Sequence, residues 1–362
     1  MRVTVVGAGV FGLAAAVSLS LRGHAVTVLE AGDIPAEKAS SNDVSKALRL
    51  EYGPLSSVYA PWVLAARDRW RELERRTGRA IYHESGYLAI SLRFQPGCFE
   101  YQSWRWACEA GLPVEKLTPR EAALRFPAFS FDGVEACTFD PIGGWLDPAQ
   151  ALPAFAEVAT RAGATVRTRT PVADVRGLPG DAILVAGGPW VNRLLPGLGL
   201  SVPTTRQHES LYRPADLRAF AGARLPVWSF DLAGQGFYGF PLHPDLFVKV
   251  ARHVPDIAAD PDEPRTGDAA QAARIDAFVR ARLPALSGVP AGGRSCLYTM
   301  SPDGTFLFDR VPGLPRTFVA GCGSGHAFKF GPLLGEWAAD LVEGKPVPEV
   351  FRAAGKRAGR VV

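Results

Sequence analysis

Val3-Thr-Val-Val-Gly-Ala-Gly-Val-Phe-Gly12, with Glu30 eighteen residues beyond its last glycine, is the stretch that decides the fold. Val3–Val6 is a short apolar run of strand character. Phe11–Leu21 is an apolar helix that Gly23 stops, and Ala25–Glu30 is a second strand. Strand, helix and strand at this spacing form a βαβ unit. Gly7, Gly9 and Gly12 fall in the turn between strand and helix, where missing side chains let the backbone approach a pyrophosphate and the helix N-terminus stabilises its charge. A carboxylate at the end of the second strand accepts hydrogen bonds from a ribose and disfavours a 2′-phosphate. The unit binds a dinucleotide, but it does not separate NAD from FAD.

Two further glycine clusters lie downstream. Val185-Ala-Gly-Gly-Pro-Trp190 ends an apolar strand, Ala182–Ala186. It is either a tight strand-to-helix turn or a second approach of backbone to cofactor. Gly321-Cys-Gly-Ser-Gly-His-Ala-Phe-Lys-Phe-Gly331 leads into the last long helix, Gly331–Leu341. A nucleotide site closed from both ends of the chain suits a cofactor that stays bound, which points to a flavin and to oxidation chemistry.

The bulk composition is that of a globular enzyme. The 362 residues are 47% hydrophobic and 21% charged, and 40 basic against 36 acidic residues leave a net charge of +4. That excess is small and scattered, with no basic stripe interleaved with aromatics, so no nucleic-acid partner is expected. Cys98, Cys108, Cys137, Cys296 and Cys322 are widely spaced without a C-x-x-C, so neither a metal site nor a disulfide framework is expected, and a reducing cytoplasm suits them. The Met1–Leu21 segment has the apolar look of a signal peptide, but its glycines stand in a binding pattern and a strand follows at once. No apolar run is long enough for a bilayer, so no membrane association is expected.

Along the chain, Pro61–Gly78 reads as a charged amphipathic helix and Gly86–Ser91 as a strand. Thr118-Pro-Arg-Glu121 is a capping box that starts a helix, and Asp147-Pro148 repeats that logic ahead of Ala151–Arg161. Pro203 to about His253 turns to β pattern, Val254–Gly267 is a Pro/Asp loop, Asp268–Leu283 a helix, and Leu297–Ala320 β again. Ser40–Gly53 reads as a loop or short helix over the cofactor. Lys249, in Leu246-Phe-Val-Lys-Val250, is by itself as ordinary as any lysine on the outer face of a strand. Cys296 by itself is an ordinary buried strand cysteine.

These segments together resemble the monomeric sarcosine oxidase family of flavin amine oxidases, within the D-amino-acid-oxidase-like fold, including its nikkomycin-pathway imino acid oxidase type. The residues that carry the resemblance are Gly7/Gly9/Gly12, Ser40–Gly53, Tyr238-Gly-Phe-Pro241, Lys249, Arg294-Ser-Cys-Leu-Tyr-Thr299 and Gly323-Ser-Gly-His-Ala-Phe-Lys-Phe330, almost end to end. The resemblance implies an α/β fold: a Rossmann-like FAD-binding domain, discontinuous over 1–80, 140–205 and 290–362, and a second lobe over 81–139 and 206–289 containing an antiparallel sheet. It implies FAD, joined by a thioether from Cys296 to the flavin 8-methyl group. It also implies a cofactor set of Gly7, Gly9, Phe11, Gly12, Glu30, Ser40, Ser45, Lys46, Val172, Gly187, Cys296, Gly323, Gly325, His326 and Lys329. Lys249 would activate oxygen, because a fixed cation stabilises the superoxide formed as the first electron leaves. Arg49 and Lys329 would grip a substrate carboxylate, the first as a bidentate fork and the second as a point charge. Tyr238 and His253 would line the substrate side, completing a catalytic set of Lys249, Arg49, Lys329, Tyr238 and His253. The partners implied are a small amino acid and O2, with a monomeric protein.

Two departures bear on the substrate. Lys46 stands where sarcosine-oxidising members carry an arginine, and Ser41-Asn42-Asp43 replaces their His-His-Gly run. Sarcosine itself is therefore not the expected substrate. The loop Gln207–Arg213 and the aromatics Trp228, Phe230 and Phe237 suggest room for something larger and flatter, such as proline, pipecolate or a piperideine carboxylate. The expected activity is oxidation of a secondary-amine amino acid by hydride transfer to flavin N5, with H2O2 and an imine as products. The alternative is a flavin dehydrogenase or desaturase of a biosynthetic intermediate, including a larger or carrier-tethered amine oxidised in several steps.

Overall fold

A computed structural model describes residues 1–222, 224–253, 257–286, 290–353 and 356 of the chain. The opening βαβ unit sits at the centre of a six-stranded sheet. Its strand order is Leu307–Arg310, Thr317–Gly321, Ala182–Val185, Arg2–Val6, Ala25–Leu29 and Thr165–Arg167. All neighbours are parallel except the antiparallel edge pair Leu307–Arg310 and Thr317–Gly321. A parallel strand is covered on both faces, which is why Val3–Val6 and Ala182–Val185 read as unbroken apolar runs.

Helix Val10–Leu21 packs on helix Gly331–Val342, joining the two ends of the chain. Small residues set the approach. A Cβ on Gly335 would run into the Ala14 carbonyl and come within 2.9 Å of Ser18 Oγ. The long helix Ser56–Thr77 lies beside them and anchors the later loop, with Trp70 Nε1 donating to the Lys329 carbonyl at 2.7 Å.

A second, eight-stranded sheet runs in the order Pro290–Thr299, Thr204–Tyr212, Val248–Arg252, Phe237–Gly239, Val227–Phe230, Tyr87–Ser91, Ala136–Asp140 and Glu115–Leu117. It is antiparallel apart from one parallel junction, between Val227–Phe230 and Tyr87–Ser91. The period-2 alternation of a strand sorts its two faces. Trp228, Phe230, Phe237, Val248 and Val250 pack on Phe278 and Ile275 of helix Ala269–Arg282. The intervening residues Ser229, Tyr238 and Lys249 fall on the other face. A three-stranded sheet of Lys46–Leu48, Gly144–Leu146 and Tyr82–His83 completes the β structure of the described residues.

Several expectations shift. The Pro61–Gly78 helix begins five residues earlier, at Ser56, entered through a 3₁₀ turn at Gly53–Leu55, and Pro61 lies inside it. The helix after Asp147 starts at Pro148 as its first residue, and Ser40–Gly53 contains a strand. Gln207–Arg213 is no loop: Thr204–Tyr212 is a nine-residue strand between two partners. The strand Pro290–Thr299 pairs into the eight-stranded sheet although the segment after it returns to the six-stranded one. Residues 254–256 of the expected loop Val254–Gly267 lie outside the described residues. The capping box at Thr118 is present in full. Among the described residues, no helix is long and apolar enough to cross a membrane.

The glycine contact gives a stability prediction. Gly335→Val should force the terminal helices apart and cost about 1–3 kcal/mol. A lower urea midpoint at unchanged slope is the expected reading, and an unchanged midpoint would show that the helix contact yields freely.

Candidate functional site

A cavity of about 1150 Å³ opens between the two large sheets and takes wall residues from both. Its first end is built by the glycine turn. Gly7 has φ of 101°, and a Cβ there would strike the Ala186 carbonyl, so the two strand ends approach as only glycine allows. Gly12 is not on the wall; its bare Cα seats the helix against the Gly7 carbonyl. The Glu30 carboxylate is held by the Ala8 N–H at 2.6 Å and the Gly32 N–H at 2.9 Å. Gly9, Phe11, Val172 and Gly187 line the same end.

The middle of the cavity holds a buried charge cluster. The Lys249 ammonium donates to Asp43 Oδ1 and Oδ2 at 2.7 and 2.8 Å and to the Ser45 carbonyl at 3.2 Å, and it lies 3.0 Å from Glu209 Oε1. Lys46 reaches Asp43 Oδ2 at 2.8 Å and the Ser40 carbonyl at 3.2 Å, and stands 3.7 Å from Cys296 Sγ. Burial alone would raise the Asp43 pKa, but the Lys249 and Lys46 charges override it and hold the carboxyl well below its usual range. Glu209 goes the other way: burial and the Asp43 charge push it up against the pull of Lys249. Burial likewise raises the Cys296 thiol. Donor atoms of Asp43, Glu209 and Cys296 lie within 4.8 Å of one another, a spacing that would suit a metal ion. The lysine ammonium groups already supply the positive charge there.

At the far end, two cations converge on Tyr52. The Arg49 guanidinium lies 4.9 Å from the centre of its ring, and Lys329 Nζ donates to its hydroxyl at 2.9 Å and to the His326 carbonyl at 2.9 Å. Arg49 Nη1 is buried and has no protein partner. His326 Nε2 lies 3.0 Å from the Gly304 carbonyl, so it carries the proton and leaves Nδ1 facing the Tyr52 hydroxyl at 3.4 Å. Burial, then Lys329, drives the His326 pKa well down, and burial, then Arg49, puts His253 at about 4. Both imidazoles are neutral at pH 7. Burial, then Arg49, also lowers Lys329 well below the ordinary lysine range. Tyr238 and Tyr298 are hydrogen-bonded to each other, and burial raises both phenols. Gly325 has φ of 76°, and a Cβ there would lie 2.7 Å from the Tyr298 ring.

Residues 2–341 match the model of the FAD dependent oxidoreductase family. The chain belongs to this family. It is 29% identical to peroxisomal sarcosine oxidase of Mus musculus, over 93% of this chain and 90% of that one. It is 28% identical to monomeric sarcosine oxidase of Bacillus sp. (strain NS-129), over 94% and 92%. It is 29% identical to N-methyl-L-tryptophan oxidase of Yersinia pestis, over 95% of each. Among solved structures it is similar to NikD, described as an unusual amino acid oxidase essential for nikkomycin biosynthesis, with TM-score 0.80, 26% identity and coverage of 96% and 95%. It shares its fold with L-proline dehydrogenase from P. horikoshii at TM-score 0.86.

The FAD-dependent oxidoreductase has a wall that fits its cofactor. Glycines 7, 9, 187, 323 and 325 clear the path, Glu30 stands at one end, and Ser40 Oγ and Ser45 Oγ are buried polar atoms without protein partners. Such orphans are rare in a finished interior and mark where a ligand completes the bonding. Of the residues singled out from the sequence, all but Gly12 stand on this wall.

Outside the catalytic and cofactor sets, two of the three substrate-side aromatics do not. Phe230 and Phe237 belong to the core behind the sheet, and Trp228, though it touches the wall, stacks on Phe278 with ring centres 5.8 Å apart. Phe230 and Phe237 face away from the cavity, so the aromatic argument for a flat substrate keeps only Trp228. Sequence reasoning passed over the roles of Asp43, Glu209 and Tyr52. The signal for Glu209 was available: Thr-Thr-Arg-Gln-His-Glu-Ser is polar on both faces of a strand paired on both edges. A buried strand tolerates that only beside a site.

Asp43 has a pKa below its unfolded value, so its stabilisation is complete above about pH 4 and is lost as pH falls below that. Asp43→Asn should therefore cost about 3–5 kcal/mol at pH 7, because it removes the carboxylate that pairs with both Lys249 and Lys46. It should also flatten the acid limb of the stability profile, with urea unfolding from pH 3 to 7 as the measurement. Equal losses at pH 3 and pH 7 would contradict the ionic account.

Proposed function

We propose that this chain is an FAD-dependent oxidase of a secondary-amine amino acid, N-methylated or cyclic. The observation that carries the reading is the Arg49 Nη1 donor, buried and unpartnered, beside Lys329 on the two sides of Tyr52. An arginine with a spare donor beside a lysine, at one end of a closed cavity, suits a carboxylate. The names of the relatives, which include oxidases of sarcosine, N-methyl-L-tryptophan and an unspecified amino acid, support the same class.

In this reading the substrate carboxylate lies on Arg49 and Lys329, which fixes the α-carbon and nitrogen beside Tyr238 and His253. Neutral His253 can accept a hydrogen bond from an uncharged amine N–H, which leaves the nitrogen lone pair free to assist loss of hydride. Leu55, Phe99 and Leu232 line the adjoining wall and suit an apolar substituent on the α-carbon. Bound FAD would supply the hydride acceptor, with O2 as the final electron acceptor and H2O2 and an imine as products. Cys296 holds the cofactor covalently, and Lys249 provides the cation that favours the oxygen step. The cofactor lobe is taken as 1–80, 140–205 and 290–362, and the substrate lobe as 81–139 and 206–289. The pairing of Lys249 with Asp43 favours a second reading, a dehydrogenase that passes electrons elsewhere, and the rate of reoxidation in air separates the two.

Anaerobic mixing with L-proline, L-pipecolate, sarcosine and N-methyl-L-tryptophan should bleach the visible flavin band with one of the non-sarcosine compounds. A yellow protein that none of them bleaches would sink the secondary-amine reading. Burial lowers the Lys329 pKa and a bound carboxylate would raise it, so affinity for a carboxylate inhibitor should weaken as pH rises. Lys329→Met should lose that slope, and Arg49→Met should weaken binding at least tenfold; a titration from pH 6 to 10 checks both. Lys249→Met should slow reoxidation more than reduction in stopped flow, and equal losses would remove its oxygen role.

A further inference from the structure

Two carboxylates share the Lys249 ammonium, and they are not equivalent. Asp43 receives Lys249 on both oxygens, Lys46 at 2.8 Å and its own chain's Val44 N–H at 2.7 Å. Glu209 receives Lys249 on Oε1 alone, and its Oε2 is buried without a hydrogen-bond partner, with Arg294 Nε 3.8 Å away. Glu209 is 1% exposed and stands on the cavity wall, reaching it from the middle of the strand Thr204–Tyr212. The two carboxylates repel one another, and Asp43 has two lysine contacts where Glu209 has one, so the pair binds a proton more tightly at Glu209. The donors decide which: Asp43 is the better-stabilised anion and Glu209 the more readily protonated partner. The upward push of burial and Asp43 on Glu209 agrees. The groups facing Glu209 are Asp43, Lys46, Lys249, Arg294, Cys296 and Tyr238, so no other carboxylate competes for that proton.

We propose that Glu209 is the proton reservoir of the oxygen half-reaction, acting through Lys249. The proposal rests on the oxidase reading above. Reducing O2 to H2O2 takes two electrons and two protons. The reduced cofactor supplies both electrons and one proton, and the Lys249 ammonium supplies the other. Glu209, 3.0 Å away, returns a proton to Lys249 and is later reprotonated from solvent. The arrangement restores the Lys249 cation after each turnover, which a lone buried lysine that had given up its proton could not do for itself. Glu209 is thus a positioning and proton-supplying residue for Lys249.

The test uses the holoenzyme reduced by light in the absence of substrate, then mixed with O2. Glu209→Gln should reoxidise at least tenfold more slowly than wild type, and Glu209→Asp should recover part of the rate. The wild-type minus Glu209→Gln infrared difference spectrum of the oxidised holoenzyme should show a protonated carboxyl band at pH 7. In wild type alone, reoxidation should slow as pH rises through the disappearance of that band, which keeps the test decisive if the variant does not fold. A wild-type rate in Glu209→Gln, a missing band, or a rate that ignores the band's titration would overturn the proposal. Slow reoxidation of wild type in air would instead remove the oxidase reading, and this proposal with it.

Discussion

A charge removed from water must be paired, and in this molecule that rule joins the lobes. Lys249 is 2% exposed and belongs to the eight-stranded sheet, while Asp43 belongs to the segment that follows the opening βαβ unit. Their contact, bracketed by Lys46 and Glu209, pulls the Ser40–Gly53 segment across the sheet and roofs the space between. Leaving either partner alone would cost several kcal/mol, so the cluster also fixes register. The strand Thr204–Tyr212 can carry Gln207 and Glu209 inward only because this cluster and the cavity receive them.

A second constraint runs against the first. Most buried polar groups find protein partners, yet Ser40 Oγ, Ser45 Oγ and Arg49 Nη1 do not. All three line the cavity. The Tyr52 hydroxyl accepts from Lys329 while its ring carries Arg49, so one aromatic side chain holds both basic groups in place. Stability is given up at these places in favour of a site that a cofactor and substrate complete.

The local elements were largely legible. The glycine fingerprint, the capping box at Thr118, the Asp147 cap and the final helix at Gly331 are set by backbone chemistry within a few residues, and the structure has each of them. Pro61 misled, because a proline is read as a helix start although a preceding 3₁₀ turn can carry the helix past it. Gln207–Arg213 misled for the opposite reason: a polar run looks like a loop unless something buried answers it. Phe230 and Phe237 misled because aromatic content says nothing about which face of a sheet a residue takes until its neighbours are paired.

The sequence by itself determined the dinucleotide turn, the order of the elements and the residue types that line the cavity, since those depend on steric freedom and periodicity within short windows. Only the tertiary structure decided which of those residues meet. Asp43 and Glu209 are 166 positions apart (209 − 43) and Lys249 lies 40 beyond Glu209 (249 − 209), yet one ammonium touches both carboxylates. No local rule foresees that meeting: it is the product of strand register, and register is settled by burying one face of a sheet against a helix more than two hundred residues from the fingerprint.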